Sequence, residues 1–319
     1  MKKHLLTLSI LLLFKTVVSA AVDSDSSFTE TEIVLQTPTG QIFGTLTTPH
    51  EADKVPVALL LAGSGPTDRN GNNPLGVKTD AYKQLAHALA EHHIACLRFD
   101  KRGIAASWKA GASNEAGLRF EDYINDAAGW IALLRNDKRF SSVIVVGHSE
   151  GSLIGMVAAK KANKFVSVAG AGESADKILK TQLAQNLKTL SDSASQVIDS
   201  LKAGKTVSRF NIQLFALFRP SIQPYLISWF KYDPQEEIKK LKIPILVIQG
   251  TTDLQIPVDD AKRLKAAQPK AQLVLINHMN HALKKAPDNR EENLKTYNNP
   301  ALPIDGELVA SLAGFINGK

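Results

Sequence analysis

The stretch Val143-Ile144-Val145-Val146-Gly147-His148-Ser149-Glu150-Gly151-Ser152 decides how this chain is read. Four β-branched residues run into a glycine, a serine follows two positions later, and a second glycine opens a helical pattern from Ser152 to Lys161. This is G-x-S-x-G between a strand and a helix, the sequence of a sharp turn that presents a serine at the carboxyl end of a buried strand. The two glycines let strand and helix approach closely. The serine then stands at a helix N-terminus, where backbone N–H groups favour developing negative charge.

The same alternation continues on both sides. Ile33 to Leu46 reads as a hairpin turning at Thr39-Gly40, and Val55 to Leu61 as a strand buried on both faces. A helical period follows over 78–92, a strand over Ile94 to Phe99, a helix over Phe120 to Leu134, and a strand over Phe165 to Val168. Residues 173–203 then carry a long amphipathic period closed by Gly204, and 208–240 give further helical pieces, with Asp233-Pro234 as N-cap and first helical residue. The sheet pattern resumes at Ile243 to Ile248, followed by a helix near 258–267, a strand at 272–277 and a closing helix over 305–317. Strands alternating with helices predict an α/β fold with a mostly parallel sheet flanked by helices. The expected layout is a core of 31–171 and 241–319 with an inserted helical lid over 172–240.

A serine nucleophile needs a base held by an acid, in the chain order Ser, Asp or Glu, His. Asp253 follows the strand Ile243–Ile248, at a strand's carboxyl end, where catalytic groups gather in open α/β sheets. His281 follows the last strand and is the expected base, with His278 as the alternative. Asp259 and Asp260 are weaker acids for this role, because they open a helix and serve there as N-terminal charge. The expected oxyanion donors are the backbone N–H of Glu150 and that of Ser64, with Gly65 in reserve, in the loop Ala62-Gly63-Ser64-Gly65-Pro66. That loop lacks the lysine and spacing of a phosphate-binding loop. His278 and His281 have H-x-x-H spacing but no accompanying H-E-x-x-H, so no metal or cofactor is implied.

Composition narrows the class. The chain has 319 residues, 44% hydrophobic and 22% charged, with one cysteine, which excludes an internal disulfide framework. The pI of about 9.3 invites a nucleic-acid reading. Three of the positive charges, Lys2, Lys3 and Lys15, lie in residues 1–20, which hold no acid, so the net +7 leaves +4 for the rest. The remaining basic residues are interspersed with acids, as in Glu236-Glu237-Ile238-Lys239-Lys240, which is a solvated helix face. Residues 1–20 have a basic start, an apolar run from Leu5 to Phe14 and Val18-Ser19-Ala20, the pattern of a cleaved secretory signal. Residues 21–30 are expected to be a flexible leader, and the product to be secreted or periplasmic with no stable membrane anchor and no nucleic-acid partner.

Several segments resemble the α/β-hydrolase superfamily, and among its members bacterial secreted esterases and serine-peptidase-like hydrolases. They are Gly44-Thr45-Leu46, the loop from Ala62 to Asn72, Arg98-Phe99-Asp100-Lys101-Arg102-Gly103, Gly147 to Gly151, Lys231-Tyr232-Asp233-Pro234, Asp253 to Pro257 and Met279 to Lys284. The resemblance runs from about residue 30 to the end. It implies Ser149 as nucleophile, Asp253 as acid and His281 as base, and a small-molecule ester as substrate. His278 departs from the pattern by placing an imidazole where relatives have a small residue. A serine aminopeptidase or thioesterase on the same three residues is the alternative, and a non-catalytic binding protein a further one. Asp100 and Arg102 are read as a polar network shaping a loop, Cys96 as a core residue, and Trp229 and Phe230 as either acyl-pocket or packing residues.

Overall fold

The computed structural model describes residues 27–50, 54–111 and 115–318; residues 1–20, expected to be a secretory signal, and residues 21–26 lie outside them. Among the described residues the strands are β1 (Phe28–Thr37), β2 (Gly40–Pro49), β3 (Val55–Leu61), β4 (Ala95–Phe99), β5 (Phe140–His148), β6 (Lys164–Val168), β7 (Ile245–Gly250) and β8 (Gln272–Ile276). They form one sheet in the order β1-β2-β4-β3-β5-β6-β7-β8. The β1–β2 and β2–β4 pairs are antiparallel and the remaining neighbours parallel. This is the α/β-hydrolase fold.

β1 begins at Phe28, inside the stretch read as a leader. The anchor is Glu30, whose carboxylate accepts from Arg98 and His87 at 2.8 Å each and from the Thr47 hydroxyl at 3.0 Å. Ser- and Asp-rich composition does not reveal such a partner, because the partners come from β2, β4 and a helix.

The helices are α1 (Ala81–Glu91), α2 (Phe120–Asn136), α3 (Glu150–Ala158), α4 (Ala175–Asn186), α5 (Ser191–Lys202), α6 (Phe215–Phe218), α7 (Gln223–Trp229), α8 (Pro234–Lys240), α9 (Val258–Ala267), α10 (Arg290–Lys295) and α11 (Gly306–Asn317). The continuous apolar strands feed two cores. Val55, Val57, Leu59 and Leu61 of β3 face one with α2, α3 and α9, while Ala58 and Leu60 face the other with α1 and α11. That alternation is the two-residue period of a strand covered on both sides.

Five helices, α4 to α8, fill the connection from β6 to β7. The long amphipathic period over 173–203 is two helices, broken at Leu187, whose φ of −136° and ψ of 56° are not helical. Gly204 takes φ +78° just beyond α5, and the Asp233 carboxylate accepts from Gln235 N–H at the start of α8.

The sheet order positions the site. From β3 the chain passes through α1 to β4 on one side, then crosses to β5 on the other. The carboxyl ends of β3 and β5 therefore flank a switch point, where open α/β sheets bind ligands. β3 runs into the Gly63–Gly65 loop, and β5 ends at His148, directly before Ser149.

Candidate active site

Ser149 has φ 53° and ψ −120°, a conformation that an L-residue holds only when its surroundings impose it. Those surroundings are backbone. A Cβ on Gly147 would overlap the carbonyl of Gly151, and one on Gly151 would overlap the carbonyls of Leu61 and Ala62. The two glycines thus let β5, α3 and β3 close on one another around the serine.

The acid loop is built just as tightly. Asp253 Oδ1 accepts from the N–H groups of Gln255 and Ile256 at 2.8 and 2.9 Å. Oδ2 accepts from His281 Nδ1 at 2.8 Å and from Gln249 Nε2 at 3.1 Å. Burial alone would raise the Asp253 pKa, but the charge and hydrogen bond of His281 and the two backbone donors outweigh it, so the carboxyl titrates below its ordinary range. His281 is presented by a turn around buried Asn280, whose Oδ1 accepts from Ala282 N–H at 3.0 Å and Lys284 N–H at 3.2 Å. Asn280 Nδ2 is in turn anchored on Asn293 and Thr296.

The structure therefore brings His281, and not His278, to Asp253. His278 is exposed, with its backbone N–H on Thr251 Oγ1 at 2.9 Å. Asp259 is exposed and pairs with Lys262, while Asp260 Oδ1 takes the Gly172 N–H at 2.7 Å. Ser149 and His281 line one cavity of about 180 Å³, together with Ser64, Thr67, Asn73, Val77, Tyr82, His148, Gln255 and Tyr297 among others. The backbone N–H groups of Ser64 and Glu150 have no hydrogen-bond acceptor among the described residues. Gly63 adjoins Ser149, since a Cβ there would stand 3.2 Å from Ser149 Cβ.

Trp229 and Phe230 do not line this cavity. Trp229 stacks on Phe120 of α2 at 6.0 Å and 13°, and Phe230 is buried in the same core. No residue of 172–240 is among those lining it; the walls come from the loop after β3 and from the acid, base and C-terminal loops. Asp100 fastens the loop after β3, accepting from Arg69 N–H at 2.8 Å and from its guanidinium at 2.7 and 3.0 Å. Arg102 Nε donates to Asp126 of α2 at 2.8 Å. Cys96 is buried in β4, and burial pushes its thiol up to about 12.

Sequence reasoning missed two side chains that join these loops. His148, the variable residue of G-x-S-x-G, lies 4.8 Å ring to ring from His281. This is the second imidazole of the site, in place of His278. Its Nε2 faces the His281 carbonyl at 3.0 Å and its Nδ1 faces Tyr82 Oη at 2.7 Å. A carbonyl only accepts, so Nε2 carries the proton and Tyr82 donates to Nδ1. Tyr82 Oη in turn accepts from Gly63 N–H at 3.2 Å. The chain Gly63–Tyr82–His148–His281 thus ties the glycine loop to the base loop. Burial, and secondarily the neighbouring His281, hold His148 neutral with its pKa lowered to about 3.

A folded-state pKa depressed from 6.5 to about 3 binds fewer protons than the unfolded chain in that window, so this contribution to stability is complete above pH 6.5 and is lost on acidification towards pH 3. The urea midpoint of the wild type is expected to fall across that range, and that of His148→Gln to fall less steeply. Parallel slopes in the two proteins would contradict the assignment of His148 as buried and neutral.

Known proteins share the fold and part of the sequence. The family described as serine aminopeptidase, S33, matches residues 75–213, a span that holds Ser149 and ends before Asp253 and His281. The chain is 27% identical over 268 residues to esterase EstD of Thermotoga maritima, covering 81% of this chain and 60% of that protein. Among solved structures it is similar to Est1E from Butyrivibrio proteoclasticus with ferulic acid bound, with a TM-score of 0.58 and 14% identity over 90% of this chain and 100% of that one. It is also similar to the Pyrococcus furiosus esterase Pf2001, with a TM-score of 0.55 and 15% identity over 95% of this chain and 97% of that one. The sheet order, the strained serine between β5 and α3, and these structural likenesses give the chain the α/β-hydrolase fold.

Proposed function

We propose that this protein is an exported serine hydrolase that cleaves small carboxylic esters through an acyl-enzyme. The observation that carries the reading is the His281 Nδ1–Asp253 Oδ2 bond of 2.8 Å, with Ser149 on the same cavity as the imidazole. In this reading Asp253 holds the His281 tautomer whose Nε2 is free to act as base. Ser149 Oγ attacks the carbonyl carbon, and its proton passes to Nε2. The developing oxyanion is taken by the free N–H groups of Ser64 and Glu150. His281 returns the proton to the departing alcohol, and water then resolves the acyl-enzyme by the same steps.

The lining favours esters over aminoacyl amides. An aminopeptidase must bind an α-ammonium group, which calls for a carboxylate at the site. Among the described residues that line the cavity none is Asp or Glu. The serine aminopeptidase match keeps amide cleavage as the second reading, while the likeness to EstD supports esters. A space of about 180 Å³ suits a short acyl or alcohol group and not a long alkyl chain. The residues Ser64, Asn73, Gln255 and Tyr297 on its walls suit a group that hydrogen-bonds. Export rests on the pattern of residues 1–20; protein recovered from the producing cell envelope should begin at Ala21, and a mature chain that retains Met1 would end that part of the proposal.

A fluorophosphonate probe should label Ser149, and Ser149→Ala and His281→Ala should each lower kcat by about 10⁴-fold or more. His278→Ala should stay within about twofold of wild type, since His278 makes no bond to Asp253. Folded protein that takes up no probe on Ser149, or a His281→Ala variant of near-normal activity, would sink the mechanism. In a panel of p-nitrophenyl esters and aminoacyl p-nitroanilides, acetate to butyrate esters should exceed decanoate in kcat/KM by about tenfold or more, a loss of about 1.4 kcal/mol. The anilides should be slower still. Preference for an aminoacyl anilide would install the aminopeptidase reading instead.

A further inference from the structure

The carbonyl of Gly63 and the N–H of Ser64 belong to one planar trans peptide unit, so they point in opposite directions. Whatever holds that carbonyl aims that N–H. The carbonyl is held by Lys101 Nζ at 3.0 Å, and the same ammonium pairs with Glu150 Oε1 at 3.1 Å. Both side chains are buried, Lys101 5% and Glu150 3% exposed. Glu150 is also the residue whose backbone carries the other free N–H. One ion pair therefore spans the two loops that supply the two donors.

We propose that the buried Lys101–Glu150 pair positions the oxyanion hole. Lys101 turns the Gly63–Ser64 peptide so that its N–H faces the cavity, and Glu150 fixes Lys101 relative to its own helix N-terminus. This rests on the ester-hydrolase reading of Ser149. Stability alone does not account for the pair, because two buried charges are commonly replaceable by neutral groups of similar volume without loss. The pair has a directional task that neutral groups lack. The ammonium polarises the peptide it holds, which strengthens the N–H at the far end. The Tyr123 ring, with its centroid 4.3 Å from Nζ, closes the remaining side of the ammonium. Tyr82 holds the N–H of Gly63, so the glycine is gripped at both of its polar atoms.

The decisive protein is the double variant Lys101→Met, Glu150→Gln, which removes both charges and strands neither. It should unfold cooperatively like wild type, with kcat lowered by about 10–100-fold and KM within about threefold, because oxyanion donors act on the transition state. Binding of a trifluoromethyl ketone, which forms a tetrahedral adduct on Ser149, should weaken by the same factor. Binding of the product acid should not change. A folded double variant with kcat and ketone affinity within twofold of wild type would overturn the proposal. So would a loss confined to KM. Ser149→Ala serves as the separate control, since its retained activity would remove the hydrolase reading itself.

If the double variant does not fold, Glu150→Gln alone decides. Burial depresses the Lys101 pKa and Glu150 more than offsets this. The titratable groups facing Lys101 are Tyr123 from α2, held above its ordinary range by burial, and Glu150, with Tyr225 from α7 beside them. Without the carboxylate the ammonium loses its proton more easily, and kcat should fall as pH rises through a new alkaline step absent from wild type. A variant whose kcat profile overlays that of wild type from pH 6 to about 10 would overturn the proposal.

Discussion

The architecture depends on one backbone constraint, the approach of β5, α3 and β3 around Ser149. A non-glycine residue at φ 53° and ψ −120° costs on the order of 1–3 kcal/mol and persists only when its neighbours allow nothing else. Here the neighbours are the carbonyls of Leu61 and Ala62, into which a side chain at position 151 would project. The strain is carried by the β3–β5 ladder, which pairs Val57 with Val143 through to Leu61 with Gly147 in register up to the turn. Both strands are buried on both faces, so the ladder cannot slip without moving two cores. A large apolar sheet thus stores the strain that a single serine needs to stand clear of it.

From that fixed point the other groups are brought in by loops that satisfy their own backbone. Asp253 accepts two N–H groups from its own turn, so its free oxygen direction is set before His281 arrives. His281 rests on the Asn280 turn, which is anchored on α10 through Asn293. His148 then bonds the His281 carbonyl from the nucleophile side. His281 is therefore located by three independent attachments, and none of them uses its Nε2. A neutral His148 also matters electrically, since a second cation 4.8 Å from His281 would oppose formation of the imidazolium.

What the sequence made legible was whatever repeats locally. The apolar runs that became β3, β5 and β7, the glycine-flanked serine, and an aspartate and a histidine just beyond strand ends all carry short-range signatures. The choice of His281 over His278 was legible from its greater distance past the strand. Partners across the fold were not. Lys101 sits between Asp100 and Arg102, which read as a polar network shaping a loop, but the elements that the three meet cannot be read locally: all three are buried and each faces a different one. Asp100 meets the β3 loop, Lys101 meets α3 and Arg102 meets α2. Trp229 and Phe230 looked equally suited to a pocket or to packing, because aromatic spacing on a helix does not say which neighbour it meets. The neighbour proved to be Phe120 of α2.

An ion pair beside a hole for a transient anion is better suited to its task than a lone cation would be. An unpaired buried ammonium would attract the oxyanion more strongly, but it would also be expensive to bury and would lose its proton easily. It would equally oppose the proton transfer to His281 that the proposed mechanism requires as the oxyanion forms. Lys101 with Glu150 carries no net charge as a unit. Its far field at the imidazole is that of a dipole, and its near field at the Gly63 carbonyl is still that of an ammonium. The pair therefore directs and polarises one peptide bond while leaving the base free to cycle between neutral and charged forms, a division that neither partner could achieve alone.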